Sequence, residues 1–346
     1  MRILTLNMNS HARDFRREKL NELIHFLAEY ILKHQVDIVA FQECGQTCGA
    51  PGWKGEIPDG FHSCKSGIAL KEDNAAALLA QNLDESKLPY DWTWGGVKQA
   101  YGKYDEGLAV FSRHPIRETD FFTISRQDAY DNWKTRKVLG ASIRIEERVC
   151  WFYNVHMGWW QDEEEPFREQ MQRLQTHIFC DSNTGRNVFP PGLCSCKVDY
   201  RVSAGEDAFP KKKPAVFLLG DFNSPANIPD EGYDMIKKLG WKDTWELSEK
   251  KDDGITVSGA IDGWEEDKTK GMRIDYIWTA QDTRVRSSRV IFNGNTEPVI
   301  SDHFGVAVEM DVPVMNILEI GTAADNNLFF GKTADRIRKK TGRIRI

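Results

Sequence analysis

The sequence predicts an α/β (α+β) fold in which large mixed β-sheets lie under covering helices. Two observations carry this. Strand-like segments outnumber segments of helical periodicity, and many neighbouring strands are joined by turns too short for the crossovers of a purely parallel sheet. A chain of 346 residues with 40% hydrophobic content also suffices for one large core.

The elements follow in order. Residues 2–7 alternate and are rich in branched side chains, which gives a first strand. Leu20, Leu23, Ile24, Leu27 and Ile31 recur at helical spacing and form an amphipathic helix. Residues 36–41 are a second strand running into Gln42-Glu43, and 74–83 are helical. Residues 107–112 are a strand closed by Arg113-His114-Pro115. Strands 138–145 and 149–155 are joined by the polar turn Glu146-Glu147-Arg148. A helix runs from Pro166 to about Phe179, with proline in its first turn. The apolar run 215–219 is a strand, and a helix over 233–239 stops at Gly240. Strands at 273–278, 285–292 and 306–310 complete a single domain over residues 1–312. Two stretches stand outside this rhythm. Residues 181–214, rich in Gly, Pro and Ser, read as a surface insertion, and 313–346 as a basic tail without assigned role.

The net charge is -6, which argues against a grip on nucleic acid backbone. The N-terminal segment lacks the apolar core of a signal peptide, and no apolar run is long enough to span a bilayer. The seven cysteines are irregularly spaced, so free thiols and a cytoplasmic location are expected.

Polar residues gather where strands end: Asn7, Glu43, His156, Asp221, Asn223, Asp275, Asp302 and His303. One aspartate after a strand is ordinarily a cap or turn residue. Eight such residues, all of the types phosphoester hydrolysis uses, indicate one site assembled from distant strand ends. A hard cation such as Mg²⁺, or Mn²⁺ in its place, takes oxygen ligands, which Glu43 with Asn7, Asp302 or Asp221 supplies. Asp221 or His303 suits acceptance of a water proton, and His156 and Asn223 suit donation to phosphoryl oxygens. Asp275 is expected to fix the tautomer of His156.

With Thr5-Leu6-Asn7, Phe41-Gln42-Glu43, Gly107-Leu108-Ala109-Val110-Phe111-Ser112-Arg113, Asn154-Val155-His156, Gly220-Asp221-Phe222-Asn223, Arg273-Ile274-Asp275-Tyr276-Ile277 and Ser301-Asp302-His303-Phe304-Gly305 in this order, the chain resembles the endonuclease/exonuclease/phosphatase superfamily. The resemblance covers residues 1–312 and implies the deoxyribonuclease I-like fold, a four-layer α/β sandwich with two central mixed β-sheets. It implies that Glu43 binds the metal with help from Asn7, that His156 contacts the phosphate with support from Asp275, and that Asp221 orients or deprotonates water. Asn223 would stabilise the transition state, and Asp302 with His303 would complete the site.

The substrate is sought in the remaining motifs. Asn132-Trp133-Lys134-Thr135-Arg136-Lys137 sets three cations beside a tryptophan, and suits either a solvated turn or a clamp with Lys134 or Arg136 on a phosphate or hydroxyl. Trp159-Trp160 follows the His156 motif, and Trp264 lies in a polar loop before the Asp275 strand. Exposed tryptophans beside a phosphate site suit the flat face of a sugar or base. These segments, with Lys71-Glu72-Asp73-Asn74, resemble the maltose 6'-phosphate phosphatase branch, which implies a phosphorylated disaccharide as small-molecule partner. The insertion and the tail are longer than that branch leads one to expect. A nuclease of the same fold is the principal rival and a non-catalytic binding protein the lesser one. Cys180 and Arg186 have the spacing of a cysteine phosphatase loop, but Cys180 follows a helix rather than preceding one. Cys44, Cys48, Cys194 and Cys196 lack the spacing of a zinc site.

Overall fold

The computed structural model describes residues 1–10, 17–179, 214–259 and 271–313. The Trp264 loop, residues 181–213 of the expected insertion, and the tail from 314 lie outside them. The strands are β1 (Arg2–Asn7), β2 (Ile38–Gln42), β3 (Gln46–Thr47), β4 (Asp91–Ala100), β5 (Tyr104–Ser112), β6 (Ile116–Thr123), β7 (Lys137–Ile145), β8 (Arg148–His156), β9 (Ala215–Asp221), β10 (Lys242–Asp243), β11 (Ser248–Lys251), β12 (Asp275–Thr279), β13 (Val285–Ile291) and β14 (Gly305–Met310). The helices are α1 (Arg17–His34), α2 (Ala75–Glu85), α3 (Phe167–Phe179), α4 (Gly232–Lys238) and the single turn α5 (Thr244–Leu247).

Two mixed sheets result. One runs β11-β13-β14-β1-β2-β5-β3, with β4 also paired to β5, and the other runs β10-β12-β9-β8-β7-β6. Among the named strands, β1–β2, β8–β9 and β11–β13 pair in parallel. Alternation along the strands explains the four layers. Leu4, Leu6, Val39 and Phe41 face outward onto Leu23, Ile24 and Leu27 of α1 and the alanines of α2. Val216, Leu218, Tyr276 and Trp278 face outward onto Phe167, Met171 and Leu174 of α3 and Ile236 of α4. Ile3, Ile38 and Ala40 meet Phe152, Phe217, Leu219 and Ile277 between the sheets. Among the described residues no helix is long and apolar enough to cross a membrane.

The inter-sheet face changes character along its length. The strands that supply Ile3, Ile38, Phe152, Phe217 and Ile277 at one end supply Asn7, Gln42, His156, Asp221 and Asp275, in the same alternation phase, at the other. A bridge sits between these zones. Asn154 Nδ2, from one sheet, donates to the carbonyls of Phe41 (2.8 Å) and Ala109 (2.9 Å) in the other, and its Oδ1 accepts from Gln42 Nε2 at 2.6 Å.

Several strands are absent from the sequence expectation. β4 contains Gly95-Gly96, which reads as a turn. Both glycines instead mark close approach: a Cβ at Gly95 would lie 2.7 Å from the Phe121 ring, and one at Gly96 2.5 Å from Ile68 Cδ1. β6 lies at the edge of its sheet, and its exposed Arg117 and Glu118 break the apolar alternation. β3, β10 and β11 have at most four residues, too few for a pattern to show.

Candidate active site

Three adjacent strands carry one rung of the site. Asp221 pairs with His156 across the parallel β8–β9 ladder and with Asp275 across the antiparallel β9–β12 ladder. Gly220 makes this register attainable. Its φ is 137°, and a Cβ there would lie 2.0 Å from Val155 O, so only glycine lets β9 approach β8 at this point. From the facing sheet come Asn7 at the end of β1 and Glu43 immediately after β2. Glu43 and Asn223 have positive φ, 47° and 45°, and turn their side chains back over the strand ends.

Asn7 Nδ2 donates to Glu43 Oε1 (2.9 Å) and Asp221 Oδ2 (3.1 Å), joining the two sheets. Its Oδ1 accepts from the Asn9 amide at 3.1 Å. Asn7 thus offers this centre a donor that spaces two carboxylates. His156 Nε2 lies 3.9 Å from Glu43 Oε1 and 3.7 Å from Asp221 Oδ2. His303 Nε2 lies 3.8 Å from Asp221 Oδ2, and its Nδ1 donates to Asp275 Oδ2 at 3.0 Å. The expected pairing of Asp275 with His156 is therefore corrected: Asp275 orients His303. The partner of His156 is Glu106 on β5, with Oε1 3.6 Å from Nδ1. Asn223 donates its backbone N–H to Asp221 Oδ1 (2.8 Å) and its Nδ2 to Met157 O (2.9 Å). Ser301 Oγ donates to Asn7 O at 2.8 Å, which brings Asp302 to the rim beside His303.

Burial and crowding set the protonation states. Burial, with the Glu106 charge, raises Glu43 to about 7 against the Asn7 hydrogen bond. Burial and the Asp275 charge also raise Asp221. Burial pulls His303 down, but the Asp275 and Asp221 carboxylates outweigh it and raise the imidazole to about 10. Burial, then Arg136, lowers His156. Burial works against the Glu106 carboxylate, yet Lys98, 3.2 Å away, and His156 hold it well below the usual range.

Buried carboxylates raised by one another's proximity are the donor set a hard divalent cation would relieve. The residues present fit such an ion. Among the described residues, Asp221, Asp275 and His303 bring one ligand atom each within 4.8 Å of one another. Glu43 and Asp302 add oxygens at the same cavity.

That cavity has a volume of about 730 Å³. Glu43, Asp221, Asn223, Asp302, His156 and His303 line its polar end. Trp133, Trp159, Arg136, Lys98, Tyr101 and Glu106 line the rest. Trp133 is 54% exposed and tilts against Trp159 with ring centroids 5.8 Å apart. Lys134 does not line it: its ammonium is held by Asp162 at 2.9 Å and Glu164 at 3.0 Å, which corrects the expected clamp. Lys98 and Glu106 were not found from the sequence. They face each other across the β4–β5 hairpin: Lys98 lies on a strand without a clear sequence pattern, and Glu106 one residue before the apolar run that begins at 107.

Two mixed sheets meeting at a crowded acid, amide and imidazole centre define a hydrolase of the deoxyribonuclease I-like architecture. The chain belongs to the Endonuclease/Exonuclease/phosphatase family, whose profile matches residues 4–303. A family protein from Leptotrichia buccalis C-1013-b is 28% identical over 90% of this chain and 100% of its own, with a TM-score of 0.68. A mannosyl-6-phosphatase from Bacteroides thetaiotaomicron VPI-5482 is 18% identical, covers 90% of this chain and 100% of its own, and superposes with a TM-score of 0.55. At that identity the likeness concerns the fold. No protein of curated function matches the chain significantly.

Proposed function

We propose that the protein is a divalent-metal-dependent phosphomonoester hydrolase acting on a sugar phosphate, with maltose 6'-phosphate as the best candidate and the cytoplasm as its place of action. The observation that carries the reading is the cavity, where one pocket joins the hydrolytic centre to two tryptophans and buried cations. A space of about 730 Å³ is of the size that encloses small ligands, whereas a nuclease needs a long basic groove. The net charge of -6 favours the small molecule. The Bacteroides structural neighbour, a mannosyl-6-phosphatase, agrees in substrate class.

In this reading Glu43 and Asp302 would hold Mg²⁺, or Mn²⁺, which leaves the Asp221 carboxylate for the water. When bound, the ion supplies charge neutralisation at the phosphoryl oxygens and the leaving group. Asp221 accepts the proton of the attacking water, because its neighbour His303 has Nδ1 committed to Asp275 and stands as a charged donor between two carboxylates. His303 and His156 donate to the phosphoryl oxygens through Nε2. His156 is suited to gain its proton as the dianion arrives, since the anion adds to the charge Glu106 already places behind the ring. Asn223 keeps one Nδ2 hydrogen for the transition state after bonding Met157 O. Trp133 and Trp159 offer faces to the sugar.

The test is phosphate release with Mg²⁺ from maltose 6'-phosphate, other sugar phosphates, inositol phosphates and plasmid DNA. Rapid release from a sugar phosphate is expected. Cleavage of DNA with no release from any monoester overturns the reading.

A further inference from the structure

Arg136 is unusual for a buried arginine. It is only 3% exposed, yet its guanidinium has no ion pair among the described residues, and Nε and Nη1 are buried without a hydrogen-bond partner. The Trp159 ring, 5.8 Å from Cζ, covers one side of it. The side chain lines the cavity wall next to Lys98. Lys98 is itself 5% exposed, and its one carboxylate partner among the described residues is Glu106 at 3.2 Å. Glu106 is shared, because His156 Nδ1 approaches it from the other side at 3.6 Å. One carboxylate therefore faces the permanent charge of Arg136, the ammonium of Lys98, which burial and Arg136 lower to about 8, and an imidazole, so the guanidinium charge stands out of water without an ion pair of its own among the described residues. A buried cation without a counter-ion is costly to hold out of water. A ligand anion at this wall would offset it.

The contacts also fix where the wall stands. Glu43 touches His156, His156 touches Glu106, and Glu106 touches Lys98. The wall is thus the continuation of the hydrolytic centre, on the side away from Asp221 and His303. A phosphodiester presents two terminal oxygens and one negative charge, whereas a monoester presents three oxygens and up to two charges. The imidazoles and Asn223 suffice for two oxygens. We propose that Lys98 and Arg136 form a receptor for the third terminal oxygen and the second charge of a phosphate monoester, and that this pair sets monoesterase over diesterase specificity. A charge-assisted contact in a water-excluded wall is strong, and a diester, esterified at that oxygen, would set an alkyl group against two desolvated cations.

The inference rests on the phosphomonoesterase reading, and its test separates the two. Hydrolysis of p-nitrophenyl phosphate and bis(p-nitrophenyl) phosphate is compared, with Mg²⁺ and Mn²⁺, for the wild-type protein, Arg136→Gln, Arg136→Lys and Lys98→Gln. Arg136→Gln strands no protein partner, so it keeps the test valid if Lys98→Gln, which orphans Glu106, fails to fold. The expected result is a fall of about 100-fold in kcat/KM for the monoester with the diester changed less than about 3-fold, and partial recovery in Arg136→Lys. A thermal midpoint at or above wild type accompanies it in Arg136→Gln, because the uncompensated buried charge is gone. If the wild type favours the monoester and the ratio survives Arg136→Gln, or both substrates fall together, the inference is overturned and the monoesterase reading stands. If the wild type favours the diester, both are overturned.

Discussion

Individual residues at this site are constrained more by their neighbours than by their own chemistry. Asp275 is a case. It does not line the cavity of the hydrolytic centre, but its Oδ2 holds His303 Nδ1 at 3.0 Å. Asp275→Asn keeps the shape while removing the charge that holds His303 protonated, so kcat is expected to drop by about 100-fold and the thermal midpoint to fall, read by steady-state kinetics and calorimetry. Gly220 carries the opposite kind of constraint. Alanine there meets Val155 O at a φ that L-residues avoid, and Gly220→Ala is expected to cost about 3 kcal/mol or more, seen as a lower urea midpoint or as insoluble protein. The strand-end residues Glu43, His156, Asp221, Asn223, Asp302 and His303 were legible in the sequence because a polar residue closing an apolar strand stands out against it. Partnership was not legible. Asp275 lies 28 residues from His303, and nothing in that separation says which histidine it serves.

At the scale of elements, the β4–β5 hairpin and the 126–136 loop decide the tryptophan end of the cavity. Asp105, at the start of β5, accepts from Gln46 Nε2 (2.8 Å), Lys71 Nζ (2.7 Å), Cys48 Sγ (3.1 Å) and the Tyr130 hydroxyl. The Gln99 amide donates to Tyr130 O at 2.7 Å. These bonds tie the Trp133 loop to the hairpin that carries Lys98 and Glu106. Burial opposes ionisation of Asp105, but the donors, Lys71 foremost, lower its carboxyl to about 2. A depressed folded value gives stability that is complete above the unfolded value and lost as pH falls toward about 2. Asp105→Asn is therefore expected to lower the thermal midpoint at pH 7 and to flatten its decline below pH 4, measured by melts across that range. A raised KM with little change in kcat should accompany it, because the loop slackens while the hydrolytic centre does not. The Gly95-Gly96 pair hid β4 from the sequence, and with it the hairpin. The fault lies in period: glycine is a turn residue in isolation and a close-contact residue in a sheet.

In the molecule as a whole, function depends on two sheets staying in one register against each other. Asn154 does this below the site, with bonds to Phe41 O, Ala109 O and Gln42. Asn154→Leu preserves volume but strands these groups, and a loss of about 3 kcal/mol is expected from denaturant unfolding. The carboxylates above the clamp are brought together from both sheets, so a divalent ion that binds the folded chain alone should raise the thermal midpoint, and EDTA should abolish hydrolysis with recovery on adding Mg²⁺. A chelator-resistant activity would remove the metal from the mechanism. The sequence by itself determined the reaction class and most of the sheet framework, because alternation, helical period and polar strand ends are local patterns that need no knowledge of neighbours. Only the tertiary structure decided the pairings: Asp275 with His303, Glu106 with His156, Lys134 with Asp162 rather than with a ligand, and Arg136 with no ion pair among the described residues. The physical reason is that the charge balance of a buried group is a sum over everything packed around it, and packing joins strands the chain keeps far apart.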